Sequence, residues 1–247
     1  MLPHADAREP SPAIQGHART DARHTATAPA GDGPGAPPAP PSPAAAGPRT
    51  TGEAPLPPND ARACYDRLWR SGVTFELVEP DEARGIEMPI RLTSPIGGVE
   101  IAARDGSALH ALIDCRLAIQ LYAWSPALRA AGIVGLEHYS VYRPGARTPR
   151  GRRSGHASGL AIDLASYRMQ DGRTIEVLTD WEERDRGEQP CPRRPHEAWA
   201  SRVLRGTVCD AIERSLFHVV LTPHHDKAHQ NHVHLEIKPA KNWTYVR

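Results

Sequence analysis

Aromatic residues are missing from the first 60 positions of this 247-residue chain; its five Trp, six Tyr and two Phe residues all come later. The same segment holds 14 of the 25 prolines and only four large aliphatic side chains, Met1, Leu2, Ile14 and Leu56. So few apolar side chains cannot offset the entropy that a chain loses on ordering. We therefore predict a disordered Pro/Ala/Gly-rich tail over residues 1–59 and one domain over residues 60–247.

Long apolar runs and a strong net charge are also lacking. No stretch approaches the roughly 18 apolar residues of a transmembrane helix, and there is no heptad pattern or internal repeat. The net charge is +1 and the isoelectric point is about 7.8, which argues against nucleic acid as a partner. Arginines cluster at residues 147–153 and at Arg193–Arg194, as solvated loops or as a contact with an anionic polymer.

The four cysteines, Cys64, Cys115, Cys191 and Cys209, contain no C-x-x-C pair, which argues against an all-cysteine zinc site. An even number at wide spacing is compatible with two disulfide bonds in an oxidising compartment. Three connectivities are possible, and we favour Cys64–Cys115 with Cys191–Cys209. The alternative is four reduced thiols in the cytosol.

The first eight residues lack the apolar core of a signal peptide. Three explanations stay open: a signal was removed, the true start lies upstream, or the protein remains inside the cell.

Hydrophobic periodicity and turn signals predict an α+β domain with a mostly antiparallel sheet and helices on one face. The predicted helices span residues 61–70, 107–124 and 197–215. The predicted strands span residues 73–78, 99–103, 133–142, 160–167, 174–178, 217–221 and 232–238. We expect Asp60 to cap the first helix, Gly72 to end it, and Asp171–Gly172 to form a hairpin turn.

The strongest functional signal is the segment Ser154–Asp163, which reads SGHASGLAID. Its second half alternates between apolar side chains on one face of a strand and, on the other face, Asp163 between two alanines. The small alanines leave room for a ligand to approach the carboxylate. Gly155 and Gly159 permit a sharp bend that brings His156 back over Asp163.

A second segment, His232–Lys238, alternates in the same way. Its valine, leucine and isoleucine face the core, while His232, His234 and Glu236 share the opposite face. Neighbouring side chains on that face lie roughly 6–7 Å apart, which suits one metal ligand and one adjacent base.

The two strands together offer His156, Asp163 and one histidine of the second strand as a metal-ligand set. Two histidines and a carboxylate leave one coordination position open for water, as in catalytic rather than structural zinc sites. Zinc lowers the pKa of such a water towards ~7, and a neighbouring basic group can accept its proton. Each residue alone would be explained by an ordinary structural role, and only the combination favours a metal.

At these motifs the sequence resembles the LAS-type zinc peptidases, which include lysostaphin, the D-Ala-D-Ala metallopeptidases and the amino-terminal domain of Sonic hedgehog. Ser154–Asp163 matches their SxHxxGxAxD motif and His232–His234 matches their HxH motif. The wider match is to the bacterial extensin-like C-terminal domain family, whose leading segment resembles Cys64–Val78 and whose closing segment resembles Ala228–His234. The resemblance covers residues 60–240 and implies a fold like that of the D-Ala-D-Ala peptidases and hedgehog.

The resemblance also implies roles for individual residues. One zinc ion per chain would be bound by His156, Asp163 and His234. His232 would act beside the metal as a base or as a stabiliser of the transition state. Arg143 matches the arginine that polarises the scissile carbonyl or binds a substrate carboxylate, and Arg147 is the competing candidate.

Three more residues complete the predicted site. Ser154 is expected to orient substrate or a ligand, and Glu236 to contact His234 from outside the ligand set. Among the histidines of the preceding loop, His229 is the best candidate for a similar supporting contact. The alternative is that these loop histidines are simply solvated.

This resemblance implies zinc-dependent hydrolysis of peptide bonds in bacterial cell-wall peptidoglycan, by a carboxypeptidase or endopeptidase of the periplasm or cell envelope. The alternative is a non-catalytic zinc-containing module that binds cell wall or a protein. The extensin-like family usually has a cysteine at the position of Tyr142 and often another among residues 84–88. One family disulfide is therefore expected to be missing here.

Overall fold

The computed structural model describes residues 60–107, 111–184, 188–192, 194–239 and 241–247. The predicted tail over residues 1–59 lies outside them. So do residues 108–110, which fall within the predicted second helix, and Arg193 of one basic cluster.

The helices in the described residues are α1 (Ala61–Arg70), α2 (Cys115–Ala130), α3 (Val177–Asp180) and α4 (Trp199–Glu213). The first strands are β1 (Phe75–Leu77), β2 (Pro89–Leu92), β3 (Glu100–Ala103), β4 (Leu112–Asp114) and β5 (Ile133–His138). The later strands are β6 (Ala161–Met169), β7 (Thr174–Glu176), β8 (Val219–Leu221), β9 (Val233–Glu236) and β10 (Tyr245–Val246).

The described strands form two sheets. A three-stranded sheet has the order β1-β2-β4, and a seven-stranded sheet has the order β10-β8-β9-β6-β5-β3 with β7 also paired to β6. All neighbours are antiparallel except β3 with β5 and β8 with β10, which are parallel. The α+β class with a mostly antiparallel sheet is confirmed, and its outer strands make the large sheet partly mixed.

The core lies between the large sheet and the helices. Ile162 and Leu164 of β6 are fully buried with Val233 and Leu235 of β9. They share one apolar cluster with helix side chains that include Leu117, Leu121, Leu204 and Val208. Because side chains alternate along a strand, the same packing turns Asp163 and His234 to the opposite face, as the sequence predicts.

The first helix forms as predicted. The carboxylate of Asp60 accepts a hydrogen bond from the Ala63 amide at 2.9 Å, and Gly72 follows the helix with a φ of +77°.

The prediction of one helix over residues 107–124 is wrong. Leu112–Asp114 instead forms the buried strand β4, which pairs with β2. The Asp114 side chain then caps the start of α2 by accepting a hydrogen bond from the Arg116 amide. The Cys115 amide donates to the Met88 carbonyl at 2.9 Å. Pairing with β2 outweighs the helical periodicity of this stretch.

Two disulfide bonds join the predicted partners. Cys64–Cys115 links α1 to the first residue of α2, and Cys191–Cys209 links residues 188–192 to α4. Paired cysteines are typical of proteins outside the cytoplasm. In the described part of the chain, no helix is both long and apolar enough to cross a bilayer.

A buried tyrosine joins two segments that flank the predicted site. The hydroxyl of Tyr142 donates a hydrogen bond to the Arg84 carbonyl at 2.9 Å. The Arg153 guanidinium then donates to the carbonyls of Gly85 and Ala157 at 2.6 and 2.9 Å. A side-chain hydrogen bond therefore connects the two segments in which the extensin-like resemblance places cysteines.

The two disulfides are expected to stabilise the fold unequally. Replacing Cys64 and Cys115 together by alanine should lower the free energy of unfolding by about 4 kcal/mol, because that bond spans 51 residues. The same change at Cys191 and Cys209, which are 18 residues apart, should cost about 3 kcal/mol. Urea unfolding of both double variants beside the parent chain measures the order, and a larger loss for the second pair would contradict the loop-entropy explanation.

Candidate metal centre

Two neighbouring strands and one tight turn bring the predicted ligands together. Asp163 on β6 lies directly across the antiparallel ladder from His234 on β9. His156 belongs to a 3₁₀ turn, Gly155–Ser158, that leads into β6. The Ser154 hydroxyl accepts a hydrogen bond from the His156 amide at the start of this turn.

The ligand atoms converge on one carboxylate oxygen. Oδ1 of Asp163 lies 2.8 Å from Nδ1 of His234 and 3.1 Å from Nε2 of His156, and the two nitrogens lie 3.3 Å apart. Atoms bonded to one tetrahedral zinc lie about 3.3 Å apart, given bonds of about 2.0–2.2 Å. The three observed spacings lie within 0.5 Å of that value.

The outer atoms of these ligands have partners of their own. Nδ1 of His156 donates to the Val141 carbonyl at 2.9 Å, and Nε2 of His234 lies 3.5 Å from the Glu236 carboxylate. The other oxygen of Asp163 accepts a hydrogen bond from the Ser140 hydroxyl at 3.0 Å. Such contacts select the tautomer that leaves each inner nitrogen free to bind a metal. The donor set and its supports therefore fit a zinc ion.

The charges of the Asp163 carboxylate and the His234 imidazole stabilise each other at the centre. Burial would raise the pKa of Asp163, but hydrogen bonds with His156 and His234 hold it well below its ordinary range. Burial would lower the pKa of His234, whereas its contacts with Asp163 and Glu236 raise it to about 9. At neutral pH the carboxylate therefore pairs with an imidazolium, and a metal ion that binds there displaces a proton.

His232 lies beside the three ligands. Its Nε2 is 3.4 Å from Oδ1 of Asp163, and its Nδ1 donates to the side-chain oxygen of Asn231 at 2.9 Å. Its ring contacts Tyr139 edge-on, with centroids 6.2 Å apart. Burial lowers the pKa of His232 to about 4, so the ring is neutral at physiological pH and Nε2 faces the centre as an acceptor.

The other predicted residues line one cavity of about 800 Å³ around the centre. The Arg143 guanidinium is half exposed and lies 3.7 Å from Oδ2 of Asp163. Arg147 belongs to the basic loop and donates to the Gly151 carbonyl. The ring centroids of His229 and His232 lie 5.1 Å apart. His229 is not one of the three predicted ligands.

Sequence reasoning missed several residues of the site. Ser140 and Val141 support the ligands, yet their roles depend on a strand partner that no local pattern reveals. Asn231 adjoins the HxH motif, and this adjacency was the only available signal. Trp243 and Tyr245 line the cavity from the short strand β10 and the residues before it, which were not predicted.

Gly155 allows a close approach at the edge of the centre. A Cβ atom at this position would lie within 2.6 Å of the Cδ atom of Glu236. The Glu236 carboxylate is buried, which would raise its pKa, but His234 and Lys238 hold that pKa below its ordinary range. The missing side chain therefore lets an ionised carboxylate reach His234.

Residues 62–247 match the family model described as extensin-like protein C-terminus. No curated protein and no solved structure matches the chain.

The Gly155→Ala variant is expected to bind zinc about 10- to 100-fold more weakly, because the new methyl group displaces Glu236 from His234. Competition with a chromophoric chelator measures the affinity. Gly206→Ala in α4 is the matched control, since a Cβ atom there meets nothing within 4 Å.

A double-mutant cycle isolates the cause. In a Glu236→Ala background, Gly155→Ala should have little further effect on zinc affinity. Additive losses, or unchanged affinity in a folded single variant, would contradict the explanation.

Proposed function

The chain belongs to the extensin-like protein C-terminus family, and from the geometry of its candidate metal centre we propose that it is a zinc-dependent peptidase. The proposed substrate is a peptide of bacterial cell-wall peptidoglycan, and the proposed compartment is the periplasm or cell envelope. The observation that carries the proposal is the convergence of His156, Asp163 and His234 on one point, with the neutral His232 beside them. The similarity of both motifs to those of LAS-type zinc peptidases supports the same reaction.

The three ligands would hold one zinc ion at the floor of the cavity. When bound, zinc supplies Lewis acidity, which polarises a carbonyl group and makes water a stronger nucleophile at neutral pH. The chain's own contribution is to hold the donors rigidly, because Val141, Glu236 and Ser140 each fix the outer atom of one ligand.

His232 is suited to move the proton. Its Nδ1 hydrogen is held by Asn231, so the lone pair of Nε2 points at the centre. A neutral imidazole in this position can accept a proton from water and return it to the leaving amine. Its Nε2 lies 3.4 Å from Oδ1 of Asp163, a distance that supports this role.

Arg143 is suited to meet negative charge. Its half-exposed guanidinium reaches the cavity beside Asp163 and can stabilise an oxyanion or bind a substrate carboxylate. Arg147, Arg150 and Arg152 line the same cavity. This basic wall favours peptides with free carboxylates, such as the stem peptides of the cell wall.

A second candidate function follows from the position of His232. Its Nε2 lies 3.4 Å from Oδ1 of Asp163, close enough to serve as a fourth ligand. A closed set of four protein ligands is typical of structural zinc. In that case the domain would be a non-catalytic module that binds cell wall or a protein partner.

The deciding experiment digests purified peptidoglycan with the zinc-loaded full chain and identifies released muropeptides by mass spectrometry. The parent chain should release a product that disappears with chelator. His232→Ala should keep one zinc per chain and lose about 10²- to 10⁴-fold in rate, because it removes only the proton acceptor. His196→Ala, at an exposed position, is the matched control and should retain full activity.

The outcomes separate the two functions. Loss of zinc from His232→Ala, with no product from the zinc-loaded parent, would favour the non-catalytic module. A product that survives in Asp163→Asn would overturn the assignment of the centre altogether.

A further inference from the structure

A second cluster of nitrogen and oxygen donors lies on the loop before β9. The Asp226 carboxylate sits between two imidazoles, with Oδ1 2.6 Å from Nδ1 of His229 and Oδ2 3.5 Å from Nε2 of His225. The two rings are 5.1 Å apart between centroids. One donor atom from each of the three residues lies within 4.8 Å of the others.

Local structure explains only part of this arrangement. Oδ1 of Asp226 caps a 3₁₀ turn by accepting hydrogen bonds from the amides of Ala228 and His229. The cap requires neither His225 nor the His229 ring. Two imidazoles and a carboxylate form the same donor set as the candidate metal centre, and such a set suits zinc, copper and nickel ions.

The outer cluster and the inner centre open into the same cavity. The two clusters have no residue in common, and the ring centroids of His229 and His234 lie 6.2 Å apart. Side-chain exposure rises from 1% at His156 to 20% at His229, 28% at His225 and 48% at Asp226. The outer cluster therefore lies at the solvent-exposed mouth of the cavity.

We propose that His225, Asp226 and His229 form a second transition-metal site, separate from the inner centre. It binds more weakly, because its donors are partly exposed and therefore hydrated. We expect its dissociation constant for zinc to be at least 10-fold higher than that of the inner centre. The outer site holds an ion at the entrance to the cavity that leads to the inner site.

The test titrates the full chain with Zn²⁺ alone and follows the ring nitrogens of ¹⁵N-labelled histidines by NMR. The first equivalent should shift His156 and His234, and the second should shift His225 and His229. Equilibrium dialysis should give two zinc ions per chain with separable affinities. A second equivalent that instead shifts His4, His17 or His24 of the first 59 residues would overturn the proposal.

Variants assign each ion to its site. Asp226→Asn keeps the turn, since asparagine caps as well as aspartate, but should weaken the second ion at least 10-fold. His225→Ala should have the same effect, and both should leave the first ion in place. His196→Ala should change neither. Undiminished binding of the second ion to Asp226→Asn and His225→Ala would also overturn the proposal.

Asp163→Asn separates this proposal from the proposed function. It should weaken the first ion and leave the shifts at His225 and His229 intact. One ion bound only at the inner centre would remove the outer site and leave the peptidase proposal standing. One ion bound only at the outer cluster would support the outer site and contradict the peptidase proposal.

Discussion

The antiparallel register of β6 against β9 is the constraint on which the candidate site depends. It sets Asp163 opposite His234 and, on the other face, Ile162 opposite Leu235. A slip of one residue would turn the apolar side chains to the cavity and the ligands into the core. Burying a side chain such as Leu235 contributes about 1.5–3 kcal/mol, so core packing and ligand placement favour the same register.

The segment that follows β5 completes the site from the other edge of β6. The Tyr139 amide donates to the carbonyl of Asp163, and the Asp163 amide donates to the carbonyl of Ser140. The Arg143 amide donates to the carbonyl of His156. Hydrogen bonds of four of the five residues 139–143, all except Tyr142, thus hold both a strand ligand and a turn ligand. A metal ion would therefore meet donors that are already oriented, and little ordering entropy would oppose its binding.

Period-two alternation predicted β6, β9 and the shared face of Asp163 and His234, because a half-buried strand leaves that pattern in the sequence. The same reasoning failed at β4, where helical spacing continued through Leu112–Asp114 and a distant strand decided the structure. Ser140 could not be found either, since its contact with Asp163 joins residues 23 apart. Patterns along a chain reveal which face is buried, whereas supporting contacts depend on which strands become neighbours.

The hydrogen bond from the Tyr142 hydroxyl to the Arg84 carbonyl joins the segment after β5, which contacts His156, to the loop that contains Arg84. This bond has a consequence for redox sensitivity. A thiol reductant would open both disulfide bonds and so remove the covalent links of α1 to α2 and of residues 188–192 to α4. It cannot break a hydrogen bond from a phenol to a carbonyl. This contact beside the candidate metal centre therefore does not depend on the redox potential around the protein, whereas the two disulfide bonds do.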